Sequence, residues 1–455
     1  MLLSCRLTFI LAAKLVPLFR LSNVSSLQLF QLIRYSTFIL IGIGYAQLHL
    51  PQSTIGQFET FLLISGMVSF FWVSGLVNTM LAQYPKKDET GKKALLFNTF
   101  LALFAFSLIA GLLLVLFSKS LLGFLDKQSD GYLVQLSVLY LLLNNPSFII
   151  EYTLFLNDRK KAIVIYGLVT SAASLLAAMV PALLQYPIDY SMYGLIAVAF
   201  IRLVYALNVL NRFAGFGFDF NLQVDNLKLS APLILSLFVS GSSEYIDGLI
   251  VKAKFNDMFF ALFRYGAKEL PILLIMANTF SAAMITPIAA NLQNGLKEMK
   301  DRSAKLMHIF FPVSLALMLF SPVIYRYVFG ENFVYSSIIF NVYLLLAIPR
   351  VLFPQTILTG MQQTRYLLVS SLLEIVINVS LSVYLAGKIG LPGIAAGTFI
   401  AYTFDKLFLM TVAYWVYGIK PSAYIRLAPF FIYSVALLVA FGVSQYLFKI
   451  QFWGF

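Results

Sequence analysis

Six basic side chains, Arg34, Arg202, Arg264, Lys268, Arg350 and Lys406, stand inside long apolar stretches of the sequence, together with the acids Glu151, Glu244, Asp247, Glu269, Glu374 and Asp405. A cation in apolar surroundings needs an anion, and a carboxylate there needs a cation or a proton. Arg264 and Lys268 are four residues apart, which on one helix puts them on one face. Glu244 and Asp247 are three apart on the preceding stretch, so the two pairs can meet across helices. The basic set could hold an anionic ligand, and the acidic set could supply counter-charge or bind a proton or sodium ion in a coupled transporter.

Other chemistry lacks material. Cys5 is the one cysteine, so no internal disulfide is expected, and His49 and His308 are too few for a zinc cluster. No Gly-x-x-x-x-Gly-Lys-[Ser/Thr] loop occurs, so neither a nucleotide nor any other cofactor is expected. Leu2-Leu3-Ser4-Cys5 superficially resembles a lipoprotein cleavage box, but no charged and apolar stretch precedes it.

The elements that must position these charges are membrane helices. Hydrophobic residues make up 60% of the 455 and charged residues 11%, with 43 Phe and 25 Tyr, which excludes a soluble enzyme. About thirteen apolar stretches, each long enough to cross a bilayer, run from Leu27 to Phe448. Backbone groups in hydrocarbon must pair within their own segment, and runs of about 20 residues suit helices rather than barrel strands. The fold class is therefore an all-α polytopic membrane protein.

The spans fall into two groups of six and one extra. The first group is Leu27 to His49, Gln57 to Gln83, Ala94 to Phe117, Tyr132 to Phe155, Ala162 to Leu184 and Met192 to Leu210. The second is Leu227 to Val251, Met258 to Leu292, Ser303 to Val328, Val334 to Gly360, Tyr366 to Ala386 and Leu391 to Tyr417, and Tyr424 to Phe448 follows. The implied domains are an N-terminal segment 1–26, a six-helix bundle 27–211, a cytoplasmic linker 212–226, a second six-helix bundle 227–417 and an extra helix with tail 418–455. Met258 to Leu292, at about 35 residues, exceeds one crossing, and Pro271 and Pro287 predict kinks or a protruding end there. Residues 1–22, with Arg6, Lys14 and Arg20 around a short apolar run, suggest an interfacial helix rather than a cleaved signal.

The formal net charge of +13 raises nucleic acid as a partner, but the basic residues are dispersed over short joints with no aromatic-interleaved patch. They report topology instead. With the N-terminus cytoplasmic, the inner joints hold about 19 Lys or Arg, Lys86, Lys87, Arg159, Lys160, Lys297, Lys300 and Arg302 among them, and the outer joints about seven.

An internal repeat supports two related halves. Leu156-Asn157-Asp158-Arg159-Lys160 precedes one helix, and about 35 residues on Tyr193-Gly194-Leu195-Ile196-Ala197 opens the next. In the second half Gly360-Met361-Gln362-Gln363-Thr364-Arg365 is followed about 30 residues on by Leu391-Pro392-Gly393-Ile394-Ala395-Ala396-Gly397.

With these features the chain resembles the multidrug, oligosaccharidyl-lipid and polysaccharide exporter superfamily, and within it the Wzx-type polysaccharide and O-antigen flippases. The resemblance covers nearly everything after Leu27. Its best stretches run from Ile55-Gly56-Gln57-Phe58 through Gly75-Leu76 to Leu81-Ala82-Gln83-Tyr84, and from Ala231-Pro232-Leu233 to Tyr245-Ile246-Asp247. Phe263-Arg264-Tyr265-Gly266-Ala267-Lys268-Glu269-Leu270-Pro271, Val328-Phe329-Gly330-Glu331, Leu358-Thr359-Gly360 and Leu391-Pro392-Gly393-Ile394-Ala395-Ala396 extend it.

The resemblance implies two six-helix bundles around a central cavity that opens alternately to each side. It also implies an undecaprenyl-diphosphate-linked oligosaccharide as cargo for O-antigen, capsule or exopolysaccharide, the bacterial inner membrane as location, and polysaccharide polymerase and chain-length proteins as partners. The physical demands fit: a diphosphate crossing hydrocarbon needs a cationic surface to replace its hydration. An inside-negative potential would favour outward movement of an anion by roughly 2.3 kcal/mol per charge per 100 mV.

Each charge also has a plainer reading. Arg34 and Glu151, near the ends of their spans, can snorkel to the interface, and so can Arg264 and Lys268. Lys406 can simply neutralise Asp405 or Glu374. Pro349 and Pro354 flank Arg350 and loosen the local helix, as a gate or as an inert kink. Two rival functions remain. A multidrug antiporter of the same superfamily would hold cationic drugs on acids, against which six cations within spans argue. A membrane polymerase or glycosyltransferase needs a large outer loop, whereas the longest outer joint, Ser118 to Gly131, has Asp126 and Asp130 but no His or Arg.

Overall fold

A computed structural model describes residues 23–119, 131–268 and 271–448. The expected N-terminal interfacial segment, most of the Ser118 to Gly131 joint and Glu269 lie outside the described residues, as does the Glu244 side chain. The helices, in chain order, are α1 Asn23–Gln47, α2 Gln52–Met67, α3 Phe70–Gln83, α4 Glu89–Leu116, α5 Gly131–Asn144, α6 Ile149–Leu156, α7 Lys160–Leu183, α8 Asp189–Phe213 and α9 Phe220–Lys254. They continue as α10 Asp257–Gly266, α11 Pro271–Ala290, α12 Leu292–Phe329, α13 Ser336–Leu344, α14 Ala347–Arg350, α15 Pro354–Gly360, α16 Thr364–Ile389, α17 Leu391–Tyr417, α18 Pro421–Tyr424 and α19 Leu427–Phe448.

Among the described residues, ten helices are long and apolar enough to cross a membrane, and up to twelve if each of two bent helix pairs counts as one span. The chain is a multi-pass, all-α membrane protein. One difference from the sequence expectation lies between Met258 and Leu292. Helix α10 ends at Gly266, and a separate helix starts at Pro271, where proline's fixed φ and missing N–H are tolerated. Asn291 then breaks the chain at φ −153°, ψ 111°, and its side chain accepts from Asn294 N at 3.0 Å to start α12. The longest helix is α12, with 38 residues and about 57 Å of length against a hydrocarbon layer of about 30 Å. Its surplus is the charged start that holds Lys297, Glu298, Lys300, Asp301 and Arg302.

The chain divides into two compact units. The first is residues 1–48 and 57–238, and the second is 49–56 and 239–455. The first unit packs Trp72, Leu76, Leu96, Leu103, Ile149 and Leu154 into one core. In the second, α16 and α17 form a close antiparallel pair, because Gly393 and Gly397 bring α17 against the α16 backbone. The second unit also includes residues 49–56, where Gly56 lies so near Asp257 that a Cβ would fall 2.0 Å from its carbonyl oxygen.

The two repeat turns have one geometry. Asp158 and Gln362 are both left-handed, at φ 56° and 60°. Arg159 N donates to Leu154 O at 2.9 Å, and Gln363 N to Leu358 O at 2.8 Å. Asn157 N donates to Thr153 O at 3.2 Å, and Met361 N to Ile357 O at 3.0 Å. Each turn closes a helix that follows a break at proline, α6 after Pro146 and α15 at Pro354. In that register Glu151 and Gln355 occupy the same position, each seven residues before the left-handed residue.

Candidate functional site

In the first unit the break between α5 and α6 makes the site. The α-helical pattern of α5 stops at Asn144 and the tighter turn Pro146–Phe148 leads into α6, so that Asn144 meets α8 and the Phe148 ring meets α1 and α8. Arg202 on α8 joins the end of α5 to α7. Its Nε donates to Tyr166 Oη on α7 at 2.8 Å, and its Nη1 to Asn144 Oδ1 at 2.7 Å. Arg34 on α1 donates from Nη1 to Glu151 Oε1 on α6 at 3.3 Å. Phe148 lies near both guanidiniums, 4.9 Å from Arg34 and 5.8 Å from Arg202 to the ring centroid. The Phe30 ring, stacked on Tyr166, lies 5.4 Å from Arg34.

Two cations and one carboxylate are thus held together by residues from five helices. The Glu151 side chain is buried, at 2% exposed, whereas that of Arg34 is 37% exposed. The buried side-chain polar atoms of this unit that make no hydrogen bond include Glu151 Oε2, Arg202 Nη2, Thr153 Oγ1 and Asn145 Nδ2. Such atoms are costly unless water or a ligand meets them. Replacing Tyr166 by Phe removes the acceptor of Arg202 Nε and is expected to cost about 1–3 kcal/mol. Thermal unfolding in detergent, with Tyr186→Phe on the exposed α7–α8 turn as the control, measures it.

In the second unit the predicted residues form two clusters. Asp247 on α9 is buried, and its Oδ2 accepts from Tyr343 Oη on α13 and Thr398 Oγ1 on α17, each at 2.5 Å. Asn378 Nδ2 on α16 donates to Thr398 Oγ1 at 3.2 Å. Further along the same two helices, Lys406 Nζ lies 2.8 Å from Asp405 Oδ2 with both residues buried, and Ser370 Oγ donates to Asp405 Oδ1. Glu374, one turn from Ser370, acts electrostatically on this pair. The Tyr402 ring lies 4.5 Å from Lys406 Nζ and 5.8 Å from the Arg350 guanidinium.

Lys268 and Arg350 line a cavity of about 20 Å³ with Ser314, Phe310, Phe340 and Tyr343, room for about one water. Arg264 and Lys268 do not share a helical face, because α10 ends at Gly266 and Lys268 lies beyond it, with its ammonium over the Tyr265 ring at 4.6 Å. Among the described residues, no group of three or more His, Cys, Asp or Glu is arranged to hold a metal ion.

Several participants escaped the sequence reading. Tyr166, Asn144, Phe148, Tyr343, Thr398 and Asn378 are neutral, and nothing in one sequence marks which of many hydroxyls and amides face a charge. Asn144-Asn145-Pro146 in the middle of an apolar stretch was the available signal. Lys252 was counted among the joints, yet it is 2% exposed and paired with Asp257.

The profile of the family described as polysaccharide biosynthesis protein matches residues 51–338, more than half of the chain. The chain belongs to that family. No curated protein matches it in sequence. Among solved structures it is similar in fold to the lipid II flippase MurJ in an inward closed conformation, at a TM-score of 0.66 and 16% identity over 93% of each chain. An inward-facing multidrug resistance transporter of the MATE family, from the MOP superfamily, gives a TM-score of 0.57 at 13% identity over 95% of this chain and 99% of that one. The eukaryotic MATE transporter AtDTX14 gives 0.54 at 11% identity over 93% and 99%. This member of the polysaccharide biosynthesis family therefore has the fold that MurJ and the MATE transporters share.

Proposed function

We propose that this protein is a flippase that carries an undecaprenyl-diphosphate-linked oligosaccharide from the cytoplasmic to the outer leaflet of the bacterial inner membrane, with its N-terminus cytoplasmic and without catalysing a covalent step. The observation that carries this reading is the pair of guanidiniums at Arg34 and Arg202 in the apolar interior of a member of the polysaccharide biosynthesis family. Two cations against one carboxylate leave the cluster with net positive charge, which suits a diphosphate and opposes a cationic drug. Arg264, Lys268 and Arg350 extend the cationic surface, and Glu151, Asp247, Glu374 and Asp405 serve as counter-charges or ion-coupling groups. The two bundles, 27–211 and 227–417, would expose the headgroup alternately to the two membrane faces. O-antigen, capsule and exopolysaccharide subunits all satisfy this chemistry, and a polymerase with its chain-length protein is the natural recipient of the product.

Complementation of a flippase-deficient strain that builds a lipid-linked oligosaccharide tests the reading. The native chain is expected to restore surface glycan, and Arg34→Ala and Arg202→Ala at normal membrane levels to lower it at least about tenfold, the scale of losing one charge-assisted contact. Drug resistance without restored glycan would favour an antiporter instead.

A further inference from the structure

We infer that Glu151 is an internal stand-in for the anion of the cargo, holding Arg34 in the empty protein and taking up a proton when a diphosphate displaces it. This rests on the reading of the Arg34–Arg202 cluster as a diphosphate site.

The pair is built to be exchanged. A structural arginine–carboxylate pair usually makes two parallel bonds, whereas Arg34 and Glu151 make one at 3.3 Å, and Glu151 Oε2 has no partner. Exposure is unequal: the Arg34 side chain is 37% exposed and that of Glu151 2%, so an arriving anion meets the arginine. Arg202 is fixed by contrast, because Tyr166 and Asn144 hold two of its nitrogens. When Arg34 turns to the incoming diphosphate, the buried carboxylate keeps only the fixed Arg202 as a nearby cation, and protonation then costs less than leaving a buried charge under-compensated.

The ionisable groups that face this carboxylate are Arg34 on α1 and Arg202 on α8, with Tyr152 on its own helix and Tyr166 on α7, while Tyr140 on α5 faces the two arginines. Arginine and tyrosine do not ordinarily change charge between pH 5.5 and 8, which leaves Glu151 to do so. The repeat supplies an internal control. Gln355 occupies the same position in the second unit, also with its carbonyl oxygen unpartnered, so the fold tolerates a neutral amide there. The charge at Glu151 is then an addition to the structural role of the position.

The probe is UDP-glucose, a soluble diphosphate diester whose phosphates stay ionised throughout this range, titrated calorimetrically into the full-length protein in detergent. Native protein is expected to bind about tenfold more tightly at pH 5.5 than at pH 8, a typical coupling between linked sites. Comparison of buffers with different ionisation enthalpies should show uptake of a fraction of a proton per ligand, about 0.4 on average across this range, which is what a tenfold change over 2.5 pH units requires. Glu151→Gln is expected to bind at pH 8 as tightly as the native protein does at pH 5.5, with no proton taken up, and Arg34→Ala to lose binding. Should the glutamine variant fail to fold, the proton count of the native protein decides alone. Binding without pH dependence or proton uptake, or a glutamine variant that behaves like the native chain, overturns the inference and leaves the diphosphate reading standing. No binding by the native protein at either pH overturns both.

Discussion

Replacing Lys406 by alanine is expected to destabilise the protein by about 3–5 kcal/mol, the cost of leaving a buried carboxylate without its cation. Asp405 is buried in the second unit, and the contacts seen for it are the Lys406 ammonium and the Ser370 hydroxyl. Glu374 lies in electrostatic range, so loss of the lysine leaves two acids facing each other across α16 and α17. The double variant Asp405→Asn with Lys406→Met removes both charges at similar volume, and it should recover most of the loss, since a buried pair contributes little against a well-packed neutral replacement. Thermal and denaturant unfolding of the two variants and the native protein in one detergent makes the comparison. If Lys406→Ala alone matched the native chain, the lysine would not be a structural partner and its place among ligand-holding cations would be the better account.

The contrast with Arg34 and Glu151 is instructive. Both pairs were visible in the sequence as charges inside apolar runs, and in both the plain structural reading competed with a functional one. The second pair is local, because Asp405 and Lys406 are adjacent on α17. Arg34 and Glu151 are 117 residues apart, and Arg202 lies 58 from Asn144. No periodicity in one sequence reports such contacts.

Helices and repeat were legible because bilayer length and turn chemistry act locally: Asp158 and Gln362 close the same turn within five residues. The misplaced long helix shows where local rules stop. Proline signals at Pro271 and Pro287 look alike, yet one begins a helix and the other sits inside α11, and the side chain of Asn291 places the break after Ala290. The 49–56 segment likewise follows a membrane helix as an ordinary joint would, and contacts distant in sequence, Gly56 with Asp257 and Gln52 with Asn332, tie it to the second unit.

Gly393→Leu or Gly397→Val is expected to cost about 3 kcal/mol or more and to abolish transport at the same time. Overpacking a filled site costs about 1–3 kcal/mol when neighbouring side chains can turn away. Here they cannot. A Cβ on Gly393 would meet Leu385 O at 2.3 Å, and one on Gly397 would meet Ser382 N at 2.7 Å and Cα at 2.8 Å, so α16 and α17 themselves must separate. That separation reaches the charges directly. Helix α17 carries Thr398, Tyr402, Asp405 and Lys406 just beyond Gly397, and α16 carries Ser370, Glu374 and Asn378 opposite them. The Asn378–Thr398 and Ser370–Asp405 hydrogen bonds should fail together, because each joins α16 to α17. Gly387 on α16 provides the control, since a Cβ there meets nothing within 4 Å and alanine should stabilise the helix by up to about 1 kcal/mol. Unfolding in detergent and glycan export in cells, measured on the same variants, separate the outcomes. Export retained by a folded Gly397→Val protein would mean that the close crossing of α16 and α17 is packing alone, with no part in holding the charged residues where transport needs them.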